Sequence, residues 1–197
     1  QWKSWLVRGA YFLVAYSILV TVWLGLLLIG ATSVANVLLW PAAALAIPTA
    51  VYTAFLFAQA KGRDLWQSPL LSVHLLVHAL LAGGAVWLMI AGLNSAVDET
   101  IAHNFTLVVL GISLATLIGE VLTTHPTVDA RRAMSMILGR PFGAWFWGGG
   151  VLLGHILPGL LLLTGIEQSL LAPLMILAGI FAIERCWVLA PQRIALS

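Results

Sequence analysis

Long runs of apolar residues, separated by short polar connections, follow one another along the whole of this chain. Runs such as 20–30 and 149–163 do not alternate between polar and apolar residues, as the strands of a transmembrane barrel would. A helix needs roughly 20 apolar residues to cross the ~30 Å hydrocarbon layer of a bilayer. The pattern therefore predicts an all-α fold, a polytopic transmembrane helical bundle of about six helices that forms a single transmembrane domain over residues 1–197. The predicted spans are 10–30, 36–59, 69–93, 103–123, 141–165 and 169–189.

Composition supports a bilayer environment and excludes an ordinary soluble domain. Hydrophobic residues make up 61% of the chain and charged residues only 8%, whereas soluble domains contain about 25% charged residues. The mean hydropathy is +1.04. The longest polar connection, 124–140, is too short to fold as a soluble domain. We therefore expect any soluble catalytic activity to belong to partner chains.

The few basic residues lie between or beside the predicted spans, where they indicate membrane topology rather than binding of nucleic acid. If the six spans cross in alternating directions, every Lys and Arg falls on one side of the membrane: Lys3, Arg8, Lys61, Arg63, Arg131, Arg132, Arg140, Arg185 and Arg193. The opposite side has only Asp98, Glu99 and Glu167. By the positive-inside rule, this segregation predicts an even number of spans with both termini in the cytoplasm.

Cys186 is the single cysteine of the sequence, which excludes an internal disulfide. A Cys-x-x-Cys site for zinc or for an iron–sulfur cluster is excluded for the same reason. Any iron–sulfur chemistry linked to this chain must therefore reside in another subunit. The residues alone predict neither a metal site nor a set of catalytic side chains.

A few ionisable or hydroxyl side chains lie inside the predicted spans. Such side chains are costly in a bilayer and usually face a bundle interior or a cavity, so they are the first candidates for function. His74 and His78 are four residues apart and share one face of the third span. The full set is Tyr52 in the second span, His74 and His78 in the third, Glu120 in the fourth, His155 in the fifth and Glu184 in the sixth.

One interpretation of these histidines is axial ligation of haem by His74 or His78 together with His155. Such ligation usually needs two imidazoles on facing helices at similar depth. The alternative is that each histidine donates a hydrogen bond to a backbone carbonyl or a hydroxyl in a packed bundle. No feature of the sequence favours haem over this alternative.

A second interpretation is a quinone site formed by Tyr52, His74 and His78, because a quinone needs hydrogen-bond donors at its carbonyls inside an apolar slot. Glu120 and His155 would then form a proton route. The alternatives are an interfacial position for Tyr52 and a Glu120 carboxylate that extends toward the basic turn. The chemistry of the residues alone does not decide between these interpretations.

Several short segments of the chain together resemble the sequence pattern of a known protein family. They are 4–10 (SWLVRGA), 52–56 (YTAFL), 66–71 (WQSPLL), 79–83 (ALLAG), 143–147 (GAWFW), 152–158 (LLGHILP) and 187–192 (WVLAPQ). Together they resemble the NrfD/PsrC family, the polysulfide-reductase-type membrane subunits, over nearly the whole chain. The departures are Ala54, Gln67, Ser72 and Pro191, where the family usually has glycine, asparagine, proline and glycine.

The beginning of the chain also differs from the family pattern. Typical members start with additional spans that contribute to their quinone pocket, and this sequence lacks them. It starts at Gln1 rather than Met, and Lys3 and Arg8 precede a first span that is long and has no signal-like cleavage site. We therefore expect a fragment or a processed chain, whose pocket is completed by another chain, completed by an earlier segment, or absent.

The resemblance implies a membrane anchor without haem in a bacterial or archaeal cytoplasmic (inner) membrane. Such a subunit exchanges electrons between a quinone, either menaquinone or ubiquinone, and an iron–sulfur subunit that serves a molybdopterin or similar catalytic subunit. Tyr52 matches the quinone-facing tyrosine helix of the family. The alternatives that remain from the residues are a proton-conducting or transporter-type bundle and a haem-binding cytochrome b-type subunit.

Overall fold

The computed structural model describes residues 4–165 and 170–195, and it is helical with no strand in those ranges. Six of its helices are long and apolar enough to cross a bilayer, which confirms the predicted all-α transmembrane bundle. Lys3, Glu167 and the predicted start of the last span at 169 lie outside the described residues. The helices are α1 (Trp5–Leu28), α2 (Thr32–Ala58), α3 (Leu70–Leu93), α4 (Glu99–Leu122), α5 (Val128–Leu138), α6 (Ala144–Thr164) and α7 (Leu171–Gln192).

α5 lies inside the connection 124–140, which was predicted only as a polar stretch. It is too short to cross a bilayer, and it is amphipathic. Its apolar residues recur every three or four positions and are buried: Ala130, Ala133, Met134 and Ile137. Its N-terminus is capped by Thr127, whose hydroxyl accepts a hydrogen bond from the Ala130 amide at 3.2 Å. The buried face of α5 packs against α7 and a short 3₁₀ helix, Asp64–Gln67.

The chain divides into two compact units, residues 1–60 and residues 61–197. The first consists of α1 and α2, which pack against each other and are joined by a tight turn at Gly30, where φ is +77°. Gly9 of α1 lies directly against the ring of Tyr52 on α2, where a Cβ atom would overlap the ring. That residues 1–197 form a single transmembrane domain stays a prediction.

The second unit is built from α3 to α7, and its core lies among α3, α4, α6 and α7. The core residues are mostly small or aliphatic, including Leu81, Ala85, Leu88, Ala102, Leu110, Leu162 and Ile176. α6 and α7 approach most closely at Gly154 and Gly179, where an added Cβ on either residue would overlap the backbone of the other. Small residues of this kind permit close packing of membrane helices.

The first part of α6, Ala144–Ile156, is a π-helix, and the helix continues in α-helical form over Leu157–Thr164. A π-helix pairs each amide with the carbonyl five residues earlier, so it is wider than an α-helix, and π segments often occur at functional sites. His155 lies in its last turn. The π segment therefore determines where this histidine points.

Basic residues collect at one end of the second unit, which we call the basic end. It comprises the connections 61–69 and 123–143 together with the residues after α7. Arg63 donates hydrogen bonds to the carbonyls of Pro191 and Ile194, so a cation pairs with carbonyl acceptors at the C-terminal end of α7. Asp98 and Glu99 lie at the opposite end, between α3 and α4.

Candidate functional site

Two histidines and two glutamates meet inside the second unit, and we call them the His–Glu cluster. Nδ1 of His74 lies 2.7 Å from Oε2 of Glu120, which joins α3 to α4. Nε2 of His74 lies 3.2 Å from Oε1 of Glu184 on α7. The same Glu184 oxygen lies 2.7 Å from Nδ1 of His78. Three helices therefore supply one continuous hydrogen-bonded network.

The His–Glu cluster is almost wholly withdrawn from solvent. His74 is fully buried, His78 and Glu120 are 5% and 4% exposed, and only the Glu184 side chain has substantial exposure, at 29%. Isolated charges buried to this degree are very costly, so such groups occur in pairs or networks. Glu184 is therefore the most accessible member of the cluster.

Trp187 packs beside His74, and a second tryptophan, Trp66, is hydrogen-bonded to the backbone of Trp187. The ring of Trp187, three residues after Glu184 on α7, lies 5.1 Å from the imidazole of His74. Trp66, which lies in the 3₁₀ helix before α3, donates its indole N–H to the Trp187 carbonyl at 2.9 Å. The Trp187 indole therefore covers one side of His74, and the Trp66 bond joins α7 to the 3₁₀ helix that precedes α3.

The three hydrogen bonds need more protons than two neutral imidazoles and two carboxylates contain. Each bond needs one proton between its two heavy atoms, while two neutral imidazoles have only two N–H groups. A third proton must therefore reside on His74 or on one of the glutamates. The cluster is thus arranged to hold an exchangeable proton among its members.

The cluster lies close to the basic end of the second unit. His74 is four residues after the start of α3, a distance of about 6 Å along the helix axis. Glu120 is two residues before the end of α4. His74 and Glu120 therefore both lie within about one or two helical turns of the connections at the basic end.

His155 was predicted to belong to the proton route with Glu120, but its hydrogen bonds go elsewhere. Nδ1 faces the Gly150 carbonyl at 2.9 Å, so this nitrogen is the donor. Nε2 of a neutral ring is then the acceptor for the Ser113 hydroxyl, also at 2.9 Å. Both ring nitrogens are engaged within the bundle. Ligation of haem by His155 would require one of these bonds to break.

Tyr52 lies in the first unit, on α2, with its ring against Gly9. Near the same end of the hairpin, Trp5 stacks on Phe55 with ring centroids 4.4 Å apart, and the Arg8 guanidinium lies over the Trp5 ring. The tyrosine ring is thus fixed by packing within its own unit. Its predicted role at a quinone stays a prediction.

Sequence reasoning selected His74, His78 and Glu120, and the structure brings these three together. It noted Glu184 as an ionisable residue inside a span but did not include it among the site residues. The structure makes Glu184 the common partner of both histidines. The sequence alone could have indicated that Glu184 belongs to a site, because a carboxylate inside an apolar helix needs a cationic or hydrogen-bonding partner.

An apolar groove lies between α4 and α6 on the surface of the second unit. It has a volume of about 310 Å³. Phe146 is part of its wall, and the Phe146 ring lies 5.9 Å from that of Trp187, which in turn contacts His74. The other lining residues are Leu114, Leu117, Ile118, Val121, Leu122, Trp147, Val151 and Ile156. The groove is of a size that suits a small apolar ligand.

Comparison with known proteins gave one match. The family model described as "Polysulphide reductase, NrfD" matches residues 1–195 of the chain. Neither a curated protein nor a solved structure matched. The family match therefore covers both compact units and every helix described above.

Proposed function

Because the chain belongs to the NrfD polysulphide reductase family, we propose that it is the membrane-anchor subunit of a respiratory oxidoreductase complex. In this role it exchanges electrons between a quinone, menaquinone or ubiquinone, and an iron–sulfur partner subunit. Six helices that can cross a bilayer support a multi-pass membrane protein. We propose that it resides in a bacterial or archaeal cytoplasmic membrane. The segregation of its basic residues supports an orientation with both termini in the cytoplasm.

The observation that supports this function best is the His–Glu cluster. Reduction of a quinone to a quinol takes up two electrons and two protons, and oxidation of a quinol releases them. The site must therefore offer groups that exchange protons inside an apolar environment. His74, His78, Glu120 and Glu184 are such groups, and their network already contains an exchangeable proton.

The members of the cluster have different roles in this proposal. Glu184, the most exposed, exchanges protons with the quinone or with water. His78 donates to Glu184 and forms the second proton-exchanging group. Glu120 holds Nδ1 of His74 and thereby directs Nε2 toward Glu184. Tyr52 is a separate candidate, in the first unit, for a hydrogen bond to a quinone carbonyl.

The apolar groove between α4 and α6 supports a quinone as the substrate. Its lining is entirely apolar, as a ring and isoprenoid tail require, and it has contact with the cluster through Phe146 and Trp187. A second apolar groove of about 260 Å³ shares Leu114 and Ile156 with it and extends the surface toward Gly159 and Leu163. Together they provide a path along α6 for an elongated apolar molecule.

The electron partner must be another chain. A single cysteine cannot hold an iron–sulfur cluster, which needs several cysteine ligands. We therefore propose two partners, an iron–sulfur subunit and a catalytic subunit that holds molybdopterin or a similar cofactor. NrfD family members form complexes with subunits of these kinds, which supports the assignment.

The test is quinol turnover by the purified complex with Glu184→Gln or His78→Gln in this chain. We expect kcat to fall by about 10²-fold or more, as for loss of a proton-transferring group. Activity of the catalytic subunit with an artificial electron donor should not change, because that reaction bypasses the membrane subunit. His103→Gln, at the far end of α4, is the matched control and should retain quinol turnover. Normal turnover in both cluster variants would refute the proposal.

A second candidate function, proton conduction, is favoured by the continuity of the same network from Glu120 through His74 to Glu184 and His78. Proteoliposomes containing the chain alone would then show a proton flux that Glu120→Gln abolishes. The absence of flux would dismiss this candidate. A cytochrome b-type subunit predicts a Soret band, and a colourless preparation after haem supplementation would dismiss that candidate.

A further inference from the structure

We infer that the His–Glu cluster is also a binding site for a divalent transition metal ion of the zinc class. His74, His78 and Glu184 each present one ligand atom, and these atoms all lie within 4.8 Å of one another. The ligands would be Nε2 of His74, Nδ1 of His78 and Oε1 of Glu184. The functional consequence, inhibition of proton exchange, rests on the proposed function, whereas the binding itself does not.

Two of the three separations between ligand atoms are close to those of a tetrahedral site, and the two histidine nitrogens lie within 4.8 Å of each other. Zinc binds imidazole nitrogen and carboxylate oxygen at about 2.0–2.1 Å, which places neighbouring ligand atoms about 3.3 Å apart. Nε2 of His74 already lies 3.2 Å from the Glu184 oxygen. Nδ1 of His78 lies 2.7 Å from the same oxygen and would have to move outward by roughly half an ångström. Glu184 is the most exposed member, so it can make this adjustment.

Glu120 supplies the support that ligating histidines normally have. A histidine bound to a metal through one nitrogen usually donates its other N–H to a carboxylate or carbonyl, which orients the ring. Nδ1 of His74 makes this bond to Glu120 at 2.7 Å. The Nε2 lone pair would therefore point toward Glu184 without any rotation of the ring.

The charges favour a divalent ion. With both imidazoles neutral, Glu120 and Glu184 contribute two negative charges, which a divalent cation neutralises in full. Without metal, the three hydrogen bonds need one proton more than two neutral imidazoles supply. That proton reduces the net charge of the two imidazoles and two carboxylates from −2 to −1. Binding of the ion would convert a buried anionic cluster into a neutral one and would release one proton.

The donor set selects the class of ion. Two imidazole nitrogens and one carboxylate suit zinc, iron, nickel or copper, whereas magnesium and calcium prefer oxygen ligands. Three protein ligands leave a fourth position for water or another ligand. Entry is through the Glu184 side, where exposure reaches 29%.

An ion in this position would replace the protons that the proposed function needs. Nε2 of His74 and Nδ1 of His78 would be occupied by the metal, so neither could transfer a proton to or from Glu184. We therefore expect zinc to inhibit quinol turnover at the membrane subunit while leaving the soluble catalytic reaction unchanged.

The binding test uses the full chain, purified without a histidine tag in lipid nanodiscs and titrated with Zn²⁺ by calorimetry, with no quinone present. We expect one zinc per chain, and release of about one proton when titrations in buffers of different ionisation enthalpy are compared. His78→Gln should weaken the affinity at least tenfold. Glu120→Ala, which removes the acceptor for Nδ1 of His74, should weaken it by about 10- to 100-fold, as for loss of a supporting hydrogen bond to a ligand.

The matched control is His103→Gln, a histidine substitution on α4 far from the cluster, which should bind zinc like the parent chain. Size-exclusion profiles and melting temperatures would verify that each variant is folded. Absence of binding in the parent chain, or unchanged affinity in His78→Gln, would overturn the inference. Loss of zinc binding in His103→Gln would also overturn the inference, because that result would show that the ion binds outside the His–Glu cluster.

Failure of this inference can be distinguished from failure of the proposed function. If zinc binds as expected but both Glu184→Gln and His78→Gln retain quinol turnover, the metal site stands and the quinone proposal fails. If turnover falls in His78→Gln and no zinc binds to the parent chain, the quinone proposal stands and the metal site fails.

Discussion

The imidazole of His74 and the carboxylate of Glu120 are joined across α3 and α4 by a 2.7 Å hydrogen bond that is buried inside the second unit. The two residues are 46 positions apart in the chain, yet each lies near the basic end of its own helix. A hydrogen bond to an ionised carboxylate is stronger than one between neutral groups, and it contributes more where water is excluded. This bond therefore links the proton chemistry of the cluster to the stability of the bundle.

Replacement of Glu120 tests that link. Glu120→Ala leaves Nδ1 of His74 without this buried acceptor, and we expect the free energy of unfolding to fall by about 1–3 kcal/mol. Glu120→Gln retains an amide oxygen that can accept the same bond, so it should destabilise less. Unfolding in nanodiscs, followed by circular dichroism, measures both. Equal destabilisation by the two variants would show that packing, not the hydrogen bond, is responsible.

The contact between Gly154 and Gly179 predicts a strong effect of a single methyl group. In Gly154→Ala the new Cβ would overlap the Gly179 backbone, so α6 and α7 must separate. Overpacking of this kind costs about 1–3 kcal/mol. Gly148→Ala, in the same π segment, is the matched control, because its Cβ would have no heavy atom within 4 Å. The comparison uses unfolding of the two variants under identical conditions, and equal stability would refute the prediction.

The transmembrane helices were predictable because a bilayer requires long apolar runs, and these are visible in any sequence. Their ends were less predictable. The first span was predicted at 10–30, but α1 begins at Trp5, since Arg8 is accommodated within the helix over the Trp5 ring. α5 was missed because Arg131 and Arg132 suggest a polar connection, although its buried residues follow a helical period.

The site was predictable only in part. The spacing of His74 and His78 predicts a shared helix face. The short connection between α3 and α4 favours packing of these two helices against each other. Contact between α3 and α7 depends on how the helices rotate and pack, which local sequence does not specify. For that reason Glu184 could be recognised as unusual but could not be assigned to the histidines.

His125 predicts a pH dependence at the basic end. Partial burial lowers the pKa of this imidazole from its usual value near 6.5, and the charge of Glu120 opposes the shift. Folding therefore favours neutral His125, so its contribution to stability is present above pH 6.5 and is lost as the pH falls below that value. The residue lines a pocket with Asp64, Gln67 and Thr124, and Arg131 donates to its carbonyl at 2.9 Å.

The measurement is the difference in melting temperature between the parent chain and His125→Gln at pH 5 and at pH 8. Glutamine does not titrate, so the variant should lose less stability on acidification than the parent chain does. Both proteins contain the His–Glu cluster, so its contribution to the change in melting temperature cancels when one change is subtracted from the other. An identical loss of stability in the two proteins would contradict the assignment to His125.

Tyr52 can be tested without disturbing the fold of the first unit. Tyr52→Phe keeps the ring that packs on Gly9 and removes only the hydroxyl, so we expect little change in melting temperature. If the hydroxyl donates to a quinone carbonyl, its loss costs about 0.5–1.5 kcal/mol of binding, which raises KM for quinol roughly 2- to 12-fold. Tyr16→Phe on α1 is the matched control and should leave KM unchanged. A normal KM in Tyr52→Phe, measured in the same complex in which Glu184→Gln lowers kcat, would remove Tyr52 from the quinone site and leave the His–Glu cluster in place.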